Sequence, residues 1–328
     1  MKQQLNLMLI NYSTSNAIMF EKKNDCSWIC LSFDKVEVGQ LLRDHVKNLV
    51  NLVSDVSRTF HFVRYGPNVL KLRFNAKHRK AHKTIASRTL RYCASHDLNV
   101  TVDDYQPQID RYGGPYGMEI AERQFGVSST IVLDLISNRY ADNGFNRGFD
   151  KNLGIQLALA TVASFGLSSQ DALEFFSGIS KGWLAFLVRW RFSNTGDHSL
   201  IIKRLQQAHR KSYATQKDVL DLLVNTVLQQ LSKHEFRSNP WLALWCLEHR
   251  KIYSELLKLL IDGKLLLMNR PLTKEPIDDL SAARFKLWPI IESYIHLTNN
   301  RLGIDVMDEP YLAYVITQTL AVSNRVPV

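Results

Sequence analysis

The sequence predicts an α+β fold, with a mainly antiparallel N-terminal sheet and its packed helices followed by a larger all-helical half. Three observations predict it. Short apolar segments of strand length alternate with helix-spaced segments as far as Val102. From Gly117 onward the apolar residues recur almost wholly at helical spacing. A chain of 328 residues with 45% apolar and 22% charged content is a folded protein with a substantial core.

The first strand is Ser27-Trp28-Ile29-Cys30-Leu31-Ser32-Phe33, short, apolar and bounded by charge. A helix over Val36 to Val53 follows, with Leu41, Leu42, Val46, Leu49, Val50 and Val53 at helical spacing. Phe60 to Tyr65 and Val69 to Phe74 are two strands joined by the turn Gly66-Pro67-Asn68. In the returning strand Leu70, Leu72 and Phe74 point one way, and Val69, Lys71 and Arg73 the other. A basic helix spans roughly Lys77 to Ser95, and Leu98 to Val102 is a further strand.

In the helical half, Met118 to Phe125 and Ser129 to Leu135 are amphipathic, with Ser128 or Ser129 as the N-cap of the second. Further helices are expected near Leu153–Phe165, Ala172–Val188, Val219–Leu231, Trp241–Leu260, Ala282–Leu297 and Tyr311–Val322. Stretches 142–148 and 194–197 are exposed connectors. The expected organisation is an N-terminal extension (1–25) and one domain (26–325), itself an α/β half (26–116) and a helical half (117–325).

No segment is apolar for long enough to span a bilayer, since Lys258, Asp262, Gly263 and Lys264 interrupt the best candidate, Leu256 to Met268. Asn6 and Asn11-Tyr12-Ser13 break the N-terminal apolar patch before a signal-peptide core could form, so a cytoplasmic protein is expected. Cys26, Cys30, Cys93 and Cys246 lack zinc-site spacing and are read as buried apolar residues. The formal charge of +10 is concentrated in Lys77, Arg79, Lys80, Lys83, Arg88 and Arg91, with a second cluster at Lys203, Arg204, Arg210 and Lys211. No recognition motif turns that charge into nucleic-acid binding. His78 and His82 have metal-compatible spacing, but the cations around them would repel a metal ion. No phosphate loop, dinucleotide fingerprint or Gly-x-Ser-x-Gly element occurs, and nothing calls for a metal or organic cofactor.

The chemistry-bearing stretch is Pro107-Gln108-Ile109-Asp110-Arg111-Tyr112-Gly113-Gly114. Adjacent glycines are kept where a chain turns sharply or approaches something closely, and an Arg before such a turn offers a planar fork suited to a carboxylate. Lys71 and Arg73 share a strand face and could converge on one anion. The face taken by Arg64 depends on a register the sequence leaves open.

The order Phe62-Val63-Arg64-Tyr65, Leu70-Lys71-Leu72-Arg73-Phe74, Pro107 to Gly114, then His296 through Asn300-Arg301 resembles the C-terminal elimination domain of lantibiotic dehydratases. That domain also occurs as stand-alone proteins of thiopeptide biosynthesis, and the resemblance spans roughly residues 26 to 325. It implies a lyase acting on a precursor peptide with a leader, after a separate glutamylation protein using glutamyl-tRNA has esterified a Ser or Thr with glutamate. Loss of the α-proton and of glutamate leaves dehydroalanine or dehydrobutyrine.

By that resemblance His296 and Arg111 are the catalytic candidates, His296 matching the acid/base histidine. Arg73 and Arg111 match arginines that hold the glutamyl group. The substrate-binding candidates are Arg64, Lys71, Arg73, Gln108, Tyr112, Asn300 and Arg301. Two positions depart from the family pattern: Lys71 stands for an Arg and Gln108 for a Glu. Both departures keep open a related chemistry, the thiopeptide pyridine synthases, which join two dehydroalanines in a formal [4+2] cycloaddition and release the leader. A non-catalytic basic peptide-binding module is the third reading.

Overall fold

The structure is a computed structural model describing residues 28–140, 147–192, 197–237, 239–266 and 285–323. The expected N-terminal extension and Cys26 lie outside the described residues, as do most of the two connectors. Cys30, Cys93 and Cys246 are buried free thiols.

Strand β1 (Trp28–Asp34) leads into α1, three abutting helical segments at Val38–Leu41, Leu42–Val46 and Lys47–Leu52. Strands β2 (Ser57–Arg64) and β3 (Val69–Ala76) form the expected hairpin. Helix α2 (Arg79–Ser95) and β4 (Val100–Asp103) complete a four-stranded sheet of order β2-β3-β1-β4, in which every pairing is antiparallel. His78 caps α2 by accepting from the Ala81 N–H through Nδ1 at 3.1 Å, a local task for one of the two histidines noted in the sequence.

Register assigns the faces. Leu70, Leu72 and Phe74 pair with Arg64, Phe62 and Phe60 on one side and with Phe33, Leu31 and Ile29 on the other. Opposed residues share a face, so these side chains, Arg64 excepted, form one apolar layer, with α2 packed on β1 and β3. Arg73 pairs with His61 and Cys30, and Lys71 with Val63 and Ser32, on the opposite face. Arg64, opposite Leu70, therefore lies on the other side of the sheet from Lys71 and Arg73.

A short 3-10 turn (Ile109–Tyr112) opens the helical half. It is followed by α3 (Gly114–Tyr140), α4 (Arg147–Ser164), α5 (Ser169–Arg191) and α6 (His198–Lys233). The last three are α7 (Pro240–Ile261), α8 (Trp288–Leu302) and α9 (Glu309–Ser323). The two short helices expected over Met118 to Leu135 are one continuous helix, and Ser128 and Ser129 are buried inside it rather than capping anything. Both hydroxyls have distant partners. Ser129 Oγ accepts from the Phe62 N–H at 3.1 Å, and Ser128 Oγ meets Thr298 Oγ1 at 3.1 Å. Among the described residues no helix is long and apolar enough to cross a membrane.

Helix α8 organises the junction. It packs on α3, α4, β2 and the 3-10 turn, so residues on its different faces reach both the sheet and the helices. Its end closes the outer edge of β2. Asn300 accepts from the Arg64 N–H at 2.9 Å and donates to the Arg64 carbonyl at 2.8 Å. Arg301 Nε donates to the Phe62 carbonyl at 3.0 Å. An edge strand's unpaired backbone groups are thus satisfied by side chains of helices.

Candidate functional site

The Arg-Tyr-Gly-Gly element is a left-handed turn. Gly113 and Gly114 have φ of 90° and 88°, and a Cβ on Gly113 would stand 2.5 Å from a Leu265 methyl. The sharp turn and the close approach both require glycine here. The turn is tied to the end of α7's following segment by a 2.8 Å hydrogen bond from the Leu266 N–H to the Gly113 carbonyl. Tyr112 is driven inward, where it stacks on Tyr294 at 5.9 Å and meets Phe125 edge-on at 5.1 Å. Arg111 is aimed at α8, its Nε donating to Ser293 Oγ at 2.9 Å.

One turn further along α8 stands His296. Its Nδ1 lies 2.8 and 3.1 Å from the two carboxylate oxygens of Glu309, the buried first residue of α9. Trp183 of α5 packs edge-on to the imidazole with ring centres 6.1 Å apart, and its Nε1 donates to Glu292. Glu292 precedes His296 by four residues and so shares its helix face. Burial pushes the Glu292 carboxyl above its ordinary range, while the Trp183 hydrogen bond and the charges of Arg111 and His296 pull it down and Glu309 adds to the rise. Arg111 and His296, 185 positions apart in sequence, therefore act on the same carboxyl group. A small pocket lined by Trp183, Ile295, Asn299 and Glu309 adjoins this group.

A second cluster occupies the polar face of the sheet. Arg73 Nη1 donates to His61 Nε2 at 3.2 Å and its guanidinium sits 5.0 Å from the Tyr105 ring centre. Tyr105 and His61 in turn pack against Trp28, whose Nε1 donates to Glu122 at 3.2 Å. His61 is fully buried, and burial followed by the charges of Arg73 and Arg301 holds its imidazole well below the ordinary histidine range. Its Nδ1 and the Arg73 Nε are buried without hydrogen-bond partners. Tyr112 lies between the clusters and feels the charges of Arg111, Arg301 and Arg73.

The remaining candidates are placed differently. Lys71 pairs with Asp103 at 2.9 Å and lies 5.5 Å from the Tyr65 ring centre. Gln108 is exposed, and its carbonyl closes the turn by accepting from the Arg111 N–H at 3.0 Å. Arg64 Nε donates to the Arg301 carbonyl at 2.9 Å, and both ends of the Asn300 amide are committed to Arg64's backbone. Arg301 is wholly buried, with Nη1 on Ser128 at 3.3 Å and its guanidinium 5.3 Å from the Phe125 ring centre. Burial pulls its pKa down to about 9, and its Nη2 has no partner. The structure thus brings Arg111, Tyr112 and His296 around α8, and sets Arg73 behind Tyr112. Arg64, Asn300 and Arg301 meet at the β2 edge instead.

Three groups at α8 escaped the sequence reading: Glu292, Glu309 and Trp183. Glu292 carried a signal, since a carboxylate four residues before a histidine shares its helix face. Glu309 and Trp183 arrive from other helices and leave no local trace. Among the described residues none of Arg73, Arg111 and Arg301 has a carboxylate within salt-bridge distance, whereas Lys71, Arg88 and Arg123 each do. Arg73 and Arg111, half-buried with no carboxylate within salt-bridge distance, favour an anion arriving from outside. No group of three or more His, Cys, Asp or Glu among the described residues is placed to hold a metal ion.

A family model described as lantibiotic biosynthesis dehydratase C-term matches residues 30–320. A search of curated proteins returns no match. Among solved structures, TsrL is similar over 91% of this chain and 95% of its own, with a TM-score of 0.67 and 17% identity. The pyridine synthase TbtD, from thiomuracin biosynthesis, is similar over 90% of this chain and 98% of its own, with a TM-score of 0.64 and 12% identity. The tRNA-dependent lantibiotic dehydratase MibB from Microbispora sp. 107891 covers 96% of this chain, which spans 29% of MibB, with a TM-score of 0.56 and 18% identity. At these identities the structural likeness establishes the fold.

Proposed function

This chain belongs to the lantibiotic biosynthesis dehydratase C-terminal family, and we propose that it eliminates glutamate from glutamylated Ser or Thr residues of a precursor peptide. The observation that carries the reading is that Arg111 and His296 both act on Glu292 of α8, while among the described residues Arg111 has no carboxylate within salt-bridge distance. A glutamyl ester brings the missing carboxylate, which a guanidinium fork can hold in two parallel hydrogen bonds. Held there, the substrate presents its α-proton to a base. His296 takes that proton, the electron pair forms the Cα–Cβ double bond, and the Cβ–O bond breaks with glutamate leaving as its carboxylate. Arg73, Arg111 and the Tyr112 hydroxyl supply positive potential for the carbanion that forms beside the peptide carbonyl. The glutamate is supplied by a separate glutamylation protein using glutamyl-tRNA, and the leader peptide brings the substrate.

A specific observation favours a second reading. Lys71 is neutralised by Asp103 and Gln108 points to solvent, so two positions of the family's glutamate site contribute no net charge here. A pyridine synthase joining two dehydroalanines has no glutamate to hold. It would use the same face of α8 to bring two alkenes into reacting geometry.

Two substrates separate the chemistries. A glutamylated Ser peptide should lose glutamate, and a bis-dehydroalanine peptide should be returned unchanged. His296→Ala should slow elimination by a factor of roughly 100 or more. Arg111→Lys should impair it as well, because a point charge cannot replace the fork. Turnover of the dehydroalanine peptide alone, with a pyridine ring formed and the leader released, would overturn elimination in favour of cycloaddition.

A further inference from the structure

We propose that Glu309 is a positioning residue that fixes the tautomer of His296, placing the proton on Nδ1 and leaving Nε2 as the atom that exchanges protons with substrate. The inference deepens the proposed elimination and rests on it for its catalytic meaning, though its structural content can be measured without substrate.

Geometry comes first. Both oxygens of Glu309 face one nitrogen of the ring, at 2.8 and 3.1 Å. A carboxylate offers only lone pairs, so the nitrogen it faces must carry the proton. In a neutral imidazole the other nitrogen is then a bare acceptor. Among the described residues Nε2 of His296 has no hydrogen-bond partner, and the side chain is 31% exposed. The bare nitrogen is thus the one left uncommitted within the protein, on a side chain that is not closed off from substrate.

The surroundings hold the arrangement in place. The Glu309 side chain is 3% exposed, so it has little freedom to turn to water instead. As the first residue of α9 it also lies at the positive end of that helix, which favours a negative charge there. Trp183 packs edge-on to the imidazole and restricts its rotation. The charged groups around the ring come from several elements: Glu292 on α8 itself, Arg111 from the 3-10 turn, and Asp308 beside Glu309, which Lys151 of α4 neutralises at 2.8 Å. When Nε2 takes a proton, the imidazolium forms against the Glu309 carboxylate, which stabilises it as it appears.

Nitrogen NMR of the full chain, labelled at histidine, tests this directly. The His296 resonances are assigned by their loss in His296→Gln. The neutral ring should show its proton on Nδ1. In Glu309→Gln, whose amide can either accept from Nδ1 or donate to it, the preference should collapse into a mixture of tautomers. Elimination should fall roughly tenfold or more in that variant and recover in part in Glu309→Asp. A proton found on Nε2 in the wild-type protein overturns the proposal, and that measurement needs no variant to fold. Tautomers unchanged in a folded Glu309→Gln protein overturn it too. If the tautomer is as proposed but glutamylated peptide is not turned over, the elimination reading fails and the assignment of Glu309 stands.

Discussion

His249 shows how a single buried side chain couples the stability of this molecule to pH. It lies flat against Trp245 with ring centres 4.2 Å apart, its Nδ1 bonds the Trp245 carbonyl at 2.9 Å, and its Nε2 meets the Gln124 amide at 3.2 Å. The carbonyl requires Nδ1 to donate and the amide nitrogen requires Nε2 to accept, so the ring is neutral. Burial pulls its pKa from 6.5 to about 4. The sign follows from linkage. Below pH 6.5 the unfolded chain binds a proton that the folded chain refuses until about pH 4, so stability present above 6.5 drains away as the pH falls through that window. His61, buried and shifted in the same direction, adds to the effect. The melting temperature should therefore fall steadily from pH 7 to pH 5. His249→Gln should flatten that slope by about one proton. A slope identical to wild type would show that the folded chain protonates His249 as readily as the unfolded chain does.

At the scale of elements, the joint between β2 and α8 is the one to test. Asn300 makes a two-point pair with the Arg64 backbone, as a neighbouring strand would, and Arg301 and Ser129 complete the edge at Phe62. Asn300→Ala should lower stability by roughly 1–3 kcal/mol, because an N–H and a carbonyl lose their partners in a half-buried place. Denaturant unfolding would report the loss, and the Arg64 amide should exchange its hydrogen faster. An unchanged midpoint would mean that water replaces the asparagine at no penalty.

The same joint marks how far the sequence could be read. Alternation along Leu70, Leu72 and Phe74 gave the buried face of β3 correctly, because a strand's period is local. The helical half was legible for a similar reason. The sequence alone places Ser128 or Ser129 at an N-cap, since serines prefer helix ends. Their actual partners, Thr298, Arg301 and the Phe62 backbone, are 67 to 173 positions away. Arg64 needed a pairing register, which no single strand contains. At the candidate site Arg111 and His296 were legible through their motifs. Glu309 was not, since the contact that gives it meaning crosses from one helix to another.

At the scale of the whole molecule, the net charge of +10 is spread unevenly in a way that suits capture of a peptide. Lys77 and Arg88 of the basic stretch are engaged with Asp55, by its carbonyl and its carboxylate respectively. Arg79, Lys80, Lys83 and Arg91 have no side-chain partner among the described residues, so α2 presents an uncompensated cationic face. The sheet's two edges differ as well. That of β2 is closed by α3 and α8, whereas among the described residues β4 pairs only with β1 and is largely exposed. Strand addition is therefore expected at β4, where main-chain hydrogen bonds would hold an extended leader while α2 attracts its acidic side chains. Binding of an acidic leader peptide should weaken as salt rises from 50 to about 500 mM, since exposed charges are screened within a Debye length. Replacing Arg79, Lys80, Lys83 and Arg91 by Gln should both weaken binding and flatten its salt dependence. Hydrogen exchange supplies the second half of the test: on adding peptide, β4 amides should slow and β2 amides should not. Salt-independent affinity would remove α2 from the interaction, and protection confined to β2 would remove the β4 edge.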